Sequence, residues 1–255
     1  MKKNPLLWFF ILTFSITWGL AALYFGLSKI FENLFGEMSV TNPVFILAVW
    51  GPNIAGLIMA AVSGGWQSVK RILVRLVPVR ANASWYLVAI FLLPLAGILI
   101  NILKGDPVKI MELPGREVLT LLLAILISGP LGEELGWRGF ALPLMLKRQS
   151  AISAALLLGL IWGLWHLPSF FMSGLPQVEL QIPVFIIAAL SLSVIVTWIF
   201  VNTNYNLFLT FLFHYTLNFT YTLVGSAFIY MTMVQVVIAL LVLVIFGKEL
   251  KFRRN

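Results

Sequence analysis

Long apolar stretches recur along the whole chain, and they constrain its fold more than any other feature. Each holds about 20 residues, the length of an α-helix that crosses a hydrocarbon core of roughly 30 Å. Only 10% of the 255 residues are charged, whereas soluble domains carry roughly 25%. The sequence therefore predicts an all-α, polytopic membrane bundle of about eight transmembrane helices. The predicted spans are 5–29, 43–63, 84–103, 118–146, 151–172, 182–201, 205–224 and 227–246.

Basic residues in the connections indicate the orientation of these spans, because cytoplasmic loops carry an excess of Lys and Arg. With the N-terminus inside, 12 of the 17 basic residues fall on the cytoplasmic side, four fall outside and Arg138 lies within a span. Short loops and a compact chain are typical of bacterial proteins. We therefore expect an integral protein of a bacterial cell membrane with both termini in the cytoplasm. Because the net charge of +8 arises from these clusters, we expect membrane lipids as partners and no nucleic acid.

No internal repeat, low-complexity tract or long linker divides the chain, so we predict a single transmembrane domain over residues 1–255. Residues 66–77 mix basic and apolar side chains with a roughly helical period, which predicts a helix along the cytoplasmic interface. An ordinary positively charged loop is the alternative. The sequence Gly51-Pro52-Asn53 is expected to loosen the second span locally.

The fourth span contains three charged residues within six positions, Glu133, Glu134 and Arg138. Such groups at bilayer depth cost roughly 2.5–3.5 kcal/mol each, so they persist mainly where they pair or carry out chemistry. Glu134 and Arg138 are four residues apart and share a helix face, which predicts an ion pair. Glu133 points about 100° away and is available for another partner. The alternative is an ion pair and a protonated glutamate that only hold helices together.

Both histidines of the chain, His166 and His214, fall within predicted spans near the depth of the two glutamates. His214 and Asn218 are four residues apart and would present an imidazole and an amide to one point. Trp162 and His166 have the same spacing, so the indole is expected to form a wall beside the histidine. A histidine within a span also serves as a simple hydrogen-bonding residue between helices. The coincidence of both histidines with the carboxylates favours a site.

Two glutamates, two histidines and an amide suit hydrolysis by an activated water molecule. Glu133 would take a proton from the water, and His166 would hold the same water or pass the proton to the leaving amine. His214 and Asn218 would donate hydrogen bonds to the developing oxyanion. Glu133, His166 and His214 could also bind zinc with one position open, so a metal-bound and a metal-free water are both compatible with the sequence.

These residues resemble the motifs of the CPBP family of intramembrane proteases. The family includes the type II CAAX prenyl endopeptidases and bacterial proteins linked to bacteriocin self-immunity. Its pattern is Glu-Glu-x-x-x-Arg, then Phe-x-x-x-His, then His-x-x-x-Asn or Asp. Here the first motif runs from Glu133 to Arg138 and the third from His214 to Asn218. The second departs from the pattern, because Trp162 stands where phenylalanine is usual.

The resemblance covers a protease core of about residues 117–221. It implies that Glu133 and His166 activate water, that Glu134 and Arg138 support the site, and that His214 and Asn218 stabilise the oxyanion.

We therefore expect an intramembrane endopeptidase of glutamate type or metallo type. Its substrate would be a membrane-associated peptide or protein, with or without a prenyl group. The alternative is a non-catalytic bacteriocin-immunity or partner-binding membrane protein that keeps the polar cluster for structure. A transporter with a protonatable Glu-His relay is a third hypothesis, and the absence of an internal repeat argues against it.

Overall fold

The computed structural model describes residues 3–78, 81–105, 114–224 and 227–252. It is about 84% helical and, in these ranges, contains no strand. The α-helices of the described chain are α1 (Pro5–Gly26), α2 (Ser28–Phe35), α3 (Pro43–Val49), α4 (Gly51–Val74), α5 (Ala83–Lys104), α6 (Gly115–Ile127), α7 (Pro130–Glu134), α8 (Leu142–Leu146), α9 (Ala151–Trp165), α10 (Ile182–Asn202), α11 (Leu207–Phe219) and α12 (Phe228–Phe252). Two π-helical segments, Leu135–Ala141 and Thr220–Val224, and two 3₁₀ turns, Leu167–Phe171 and Pro176–Glu179, complete the secondary structure.

The protein is an integral membrane protein with an all-α bundle, which confirms the predicted fold class. Among the described residues, six helical stretches are long and apolar enough to cross a membrane, and the bent pair α3 and α4 makes a seventh. The predicted span at 205–224 contains a helix of only 13 residues, α11, followed by a π-helical segment. It is therefore the one predicted segment that falls below the length of a full span.

The second predicted span is divided by the residues that were expected to loosen it. The axes of α3 and α4 differ by 46° where Trp50 and Gly51 join them. A second bend inside α4 lies at Gly64 and Gly65, and Gly65 has a φ of 63°, which favours glycine. Beyond it the chain stays helical to Val74, so the first part of the predicted interfacial segment is a helix.

The most buried helix, α10, lies at the centre of the bundle and packs against α9 and α12. On the other side, α4 packs against α1 and against the π-helical segment Leu135–Ala141, while α11 packs against α5 and α7. Large apolar side chains remain exposed on the outer helices, as a lipid-facing surface requires. The core thus surrounds the segment that carries the two glutamates.

The predicted cytoplasmic position of both termini stays a prediction. It depends in part on Lys2, Arg80, Arg253 and Arg254, which lie outside the described residues.

Candidate active site

The fourth predicted span is not one continuous helix. Its break lies between Ile127 and Pro130, just before Glu133. The helix α6 ends at Ile127, and the chain resumes helical geometry only at Pro130. Trp50 donates its indole N–H to the Ile127 carbonyl at 3.0 Å, and the Ser128 hydroxyl donates to the Ala124 carbonyl at 2.6 Å. These bonds supply partners for backbone groups near the break, which lipid could not do. The span predicted at 118–146 is therefore present, as Gly115–Leu146, with a break inside it that the sequence did not indicate.

Asn53 holds the segment beyond the break. Its Nδ2 donates to the Leu131 carbonyl at 2.6 Å, and its Oδ1 accepts from the Gly136 N–H at 2.9 Å. The asparagine is 1% exposed, so both bonds lie away from solvent. Sequence reasoning missed this role, although an amide directly after Gly-Pro in an apolar span was the signal for it.

Glu134 lies at the centre of a buried charge cluster. Its Oε1 accepts from Arg138 Nη1 at 2.8 Å and from His214 Nδ1 at 2.9 Å. The ion pair expected from the four-residue spacing is thus present, and both of its side chains are 1% exposed. The Arg138 guanidinium also lies 4.7 Å from the centre of the Trp162 ring, a distance suited to a cation–π contact.

Glu133 points away from this cluster, as the sequence indicated, and bonds to a different helix. Its Oε2 accepts from Trp162 Nε1 at 2.6 Å, and the residue is buried. Trp162 was expected to form a wall beside His166. Its indole N–H also fixes one oxygen of Glu133, and no described hydrogen bond uses the other oxygen, Oε1.

His166 follows the last residue of α9 instead of lying inside a continuous helix. Its Nδ1 lies 2.8 Å from the Trp162 carbonyl. Because a carbonyl only accepts, Nδ1 carries the hydrogen and Nε2 is left with a lone pair in the neutral ring. The rings of Trp165, Trp162 and Phe185 surround the imidazole, with centroid distances of 4.6, 5.4 and 5.0 Å respectively.

Asn218 lies one turn beyond His214, next to the break in the fourth span. A Cβ atom placed on Gly129 would lie 2.6 Å from Asn218 Nδ2 and 2.9 Å from the Ile125 carbonyl oxygen. The amide of Asn218 therefore occupies space that only glycine leaves open at this point.

If the chain hydrolyses peptides with Asn218 as an oxyanion donor, as the sequence predicts, Gly129→Ala should lower the rate by about 10²-fold, the loss typical for one such donor. The added methyl group would displace the Asn218 amide, since the carbonyl on its other side is backbone and cannot move away freely. The measurement is kcat and KM of the purified variant, with Gly115→Ala as the control because nothing lies within 4 Å of a Cβ there. Equal activity of the two variants would contradict this position for Asn218.

Four of the predicted site residues line one partly open cavity. Glu133, His166, His214 and Asn218 all line a cavity of about 560 Å³. Most other lining residues are apolar. Glu134 and Arg138 do not line the cavity. Glu134 contacts His214 from outside the cavity, and Arg138 contacts Glu134.

The predicted zinc ligands are not assembled into a metal site here. Among the residues that the structure describes, no three His, Asp or Glu side chains are placed so that they could hold a metal ion. The Trp162 ring lies 5.4 Å from the His166 ring and 5.5 Å from the His214 ring. The zinc set of Glu133, His166 and His214 therefore stays a prediction.

Comparison with known proteins supports the family that the motifs indicated. Residues 115–220 match the family described as type II CAAX prenyl endopeptidase Rce1-like. A protein of Methanococcus maripaludis named CAAX prenyl protease 2 is 28% identical over 214 residues, an alignment that spans 77% of this chain and 76% of the relative. The resemblance read from the motifs is therefore confirmed. The match supports a peptidase that acts on a peptide or protein substrate.

Proposed function

Because residues 115–220 match the type II CAAX prenyl endopeptidase family, we propose that the protein is a membrane-embedded endopeptidase. In this proposal it hydrolyses a peptide bond of a membrane-associated substrate with water activated by Glu133 and His166. The observation that carries the proposal is that four polar side chains from three separate segments face one cavity whose walls are otherwise mostly apolar.

The attacking water would sit between Glu133 and His166. The Oε1 atom of Glu133 is available to accept a hydrogen from water, because the bond from Trp162 occupies Oε2. The Nε2 lone pair of His166 is a second acceptor, because Nδ1 donates to a carbonyl. Two acceptors aimed at one water hold it and remove its proton as its oxygen bonds to the substrate carbonyl carbon.

The carbonyl oxygen of the substrate gains negative charge in this step. His214 and Asn218, which line the same cavity, are the proposed donors to this oxygen. Because His214 Nδ1 is directed at Glu134, its Nε2 is the atom left to donate to the oxyanion once the ring is protonated. The tetrahedral intermediate then breaks its C–N bond, and the proton held by Glu133 or His166 goes to the leaving amine.

Glu134 and Arg138 would act through His214. A carboxylate beside Nδ1 fixes the orientation of the imidazole and stabilises its cationic form, while Arg138 keeps that carboxylate ionised and in place. Neither side chain needs to touch the substrate for this role. Their predicted supporting function is consistent with their position behind the cavity wall.

We propose a lipid-anchored peptide, with a prenyl group as the first candidate, as the substrate. The cavity is lined mostly by apolar side chains, and it lies in a bundle whose outer surface faces lipid. An apolar chain next to the scissile bond would fill such a space. The name of the Methanococcus relative, CAAX prenyl protease 2, indicates the same class for that protein.

Proteolysis of a panel of farnesylated and unmodified peptides by the purified protein tests this proposal. We expect cleavage of the farnesylated peptides and at least tenfold slower cleavage of unmodified peptides with the same sequence. A parallel reaction with a metal chelator tests the zinc prediction, because loss of activity that returns with added zinc would support a metal-bound water. Failure to cleave any peptide in the panel, with binding intact, would contradict the proposed activity.

A further inference from the structure

A polar pair that belongs to none of the family motifs also faces the cavity. Gln235 of α12 donates from Nε2 to the Tyr221 hydroxyl oxygen at 2.8 Å. Gln235 is only 1% exposed, and its Oε1 has no hydrogen-bond partner among the described residues. Both side chains line the cavity that holds Glu133 and Asn218.

A glutamine in this position requires an explanation. The span Phe228–Gly247 has a mean hydropathy of 2.7, and a buried acceptor without a partner is unfavourable in such surroundings. A contact that only joined the segment Thr220–Val224 to α12 would be complete without a carbonyl oxygen that lacks a partner. The free oxygen instead indicates a donor that arrives with a ligand.

The hydrogen bond between the two residues fixes what each can offer. Because Gln235 Nε2 donates to the phenol oxygen, the phenol hydrogen is left to donate. The pair therefore presents one acceptor, Gln235 Oε1, and one donor, the Tyr221 hydroxyl. A residue in an extended peptide presents its N–H and C=O groups to the same side, as in an antiparallel sheet. The two sets of groups are complementary.

The position of the pair places it next to the reacting groups. Tyr221 is three residues after Asn218, so it continues the same side of the helical segment. A row of ring contacts also connects Tyr221 to His166. The ring centroids of Tyr221 and Phe228 are 5.2 Å apart, and those of Phe228 and Phe185 are 6.0 Å apart. The Phe185 centroid lies 5.0 Å from that of His166. An extended peptide that reaches from Asn218 along this wall passes Tyr221 and Gln235.

We infer that Tyr221 and Gln235 form a subsite that binds the backbone of one substrate residue near the scissile bond. The substrate N–H donates to Gln235 Oε1, and the Tyr221 hydroxyl donates to the substrate carbonyl. The subsite selects an extended peptide and is indifferent to the side chain at that residue. This inference rests on the proposed peptidase function, and it concerns binding and not the chemical step.

The test is a backbone scan by N-methylation. Single N-methyl groups are placed in turn at each peptide bond of a fluorescent farnesylated CAAX peptide, and dissociation constants are measured with Glu133→Gln protein, which binds without turnover. We expect one position at which N-methylation raises Kd by about fivefold, the size of one net hydrogen bond. In protein that also carries Gln235→Met, the same N-methyl group should not raise Kd any further.

Two variants separate recognition from a structural role. Tyr221→Phe should weaken binding of the parent peptide, because it removes both the donor to the substrate carbonyl and the oxygen that accepts from Gln235 Nε2. Part of the N-methyl penalty at that position should persist, because Gln235 Oε1 is still present. Thr232→Val is the control, since Thr232 is buried on the same helix but its hydroxyl donates to the Phe228 carbonyl and does not line the cavity. This control should bind every peptide as the parent protein does.

The inference is overturned if the N-methyl penalties are the same with and without Gln235→Met, or if the parent peptide does not bind. Failure of the proposed function gives a different result. The peptide then binds, and the N-methyl penalty disappears with Gln235→Met as expected, but the wild-type protein does not cleave the peptide.

Discussion

Glu133→Gln is expected to abolish peptide hydrolysis while the protein still folds. The amide has the shape of the carboxylate and still accepts from Trp162 Nε1, a bond of 2.6 Å in the wild-type protein. It cannot take a proton from water, so the loss should be at least that of a general base, about 10²–10⁴-fold in kcat. The measurement is kcat on a farnesylated peptide, together with the unfolding midpoint in detergent.

Glu117→Gln is the matched control for this variant. Glu117 is exposed on α6, one residue before the predicted span 118–146, and does not line the cavity. It should retain wild-type activity, and both variants should unfold at the wild-type temperature. Full activity of Glu133→Gln would exclude Glu133 as the base.

The predictions that succeeded relied on signals carried by neighbouring residues. Apolar runs of about 20 residues identify the bundle, because a membrane helix must satisfy its own backbone. The four-residue spacing between Glu134 and Arg138 was enough to predict their ion pair. The depth of His166 and His214 within their predicted spans placed both near the glutamates, and both line the cavity that Glu133 lines.

The helix break around Gly129 could not be predicted, because the bonds that accompany it come from a distant part of the chain. Trp50 and Asn53 reach their carbonyl partners across sequence separations of 77 and 78 residues. A run of apolar residues looks the same whether a neighbouring helix supplies these bonds or not. The same limit applies to Trp162, whose indole reaches Glu133 only because of how α9 lies beside α7.

The length of a membrane-crossing segment was also difficult to predict from hydropathy. Residues 205–224 are apolar enough for a span, yet α11 ends after 13 residues and the chain changes to π-helical geometry. The change occurs after Phe219, one residue beyond Asn218, which lines the cavity. π-Helical turns are often found at functional sites, and periodicity in the sequence does not distinguish them from α-helix.

Arg138→Met is expected to destabilise the protein strongly and to remove activity. Both partners of the Arg138–Glu134 pair are 1% exposed, so the variant leaves a buried carboxylate without its cation. Breaking a buried pair from one side costs about 3–5 kcal/mol, more than most single substitutions. The measurement is the free energy of unfolding in detergent micelles, with Arg116→Met on the exposed surface of α6 as the control.

Adding Glu134→Gln to Arg138→Met should recover much of the lost stability but not the activity. The double variant removes both charges, so no unpaired charge stays buried, and replacement of both partners of a buried pair is often nearly neutral. The amide oxygen introduced by Glu134→Gln could still accept from His214 Nδ1, but it supplies no negative charge to stabilise an imidazolium. If the two substitutions destabilise the protein additively, the charges are not coupled. If the double variant hydrolyses peptide at the wild-type rate, His214 does not depend on Glu134, and its role as an oxyanion donor in the cationic form is wrong.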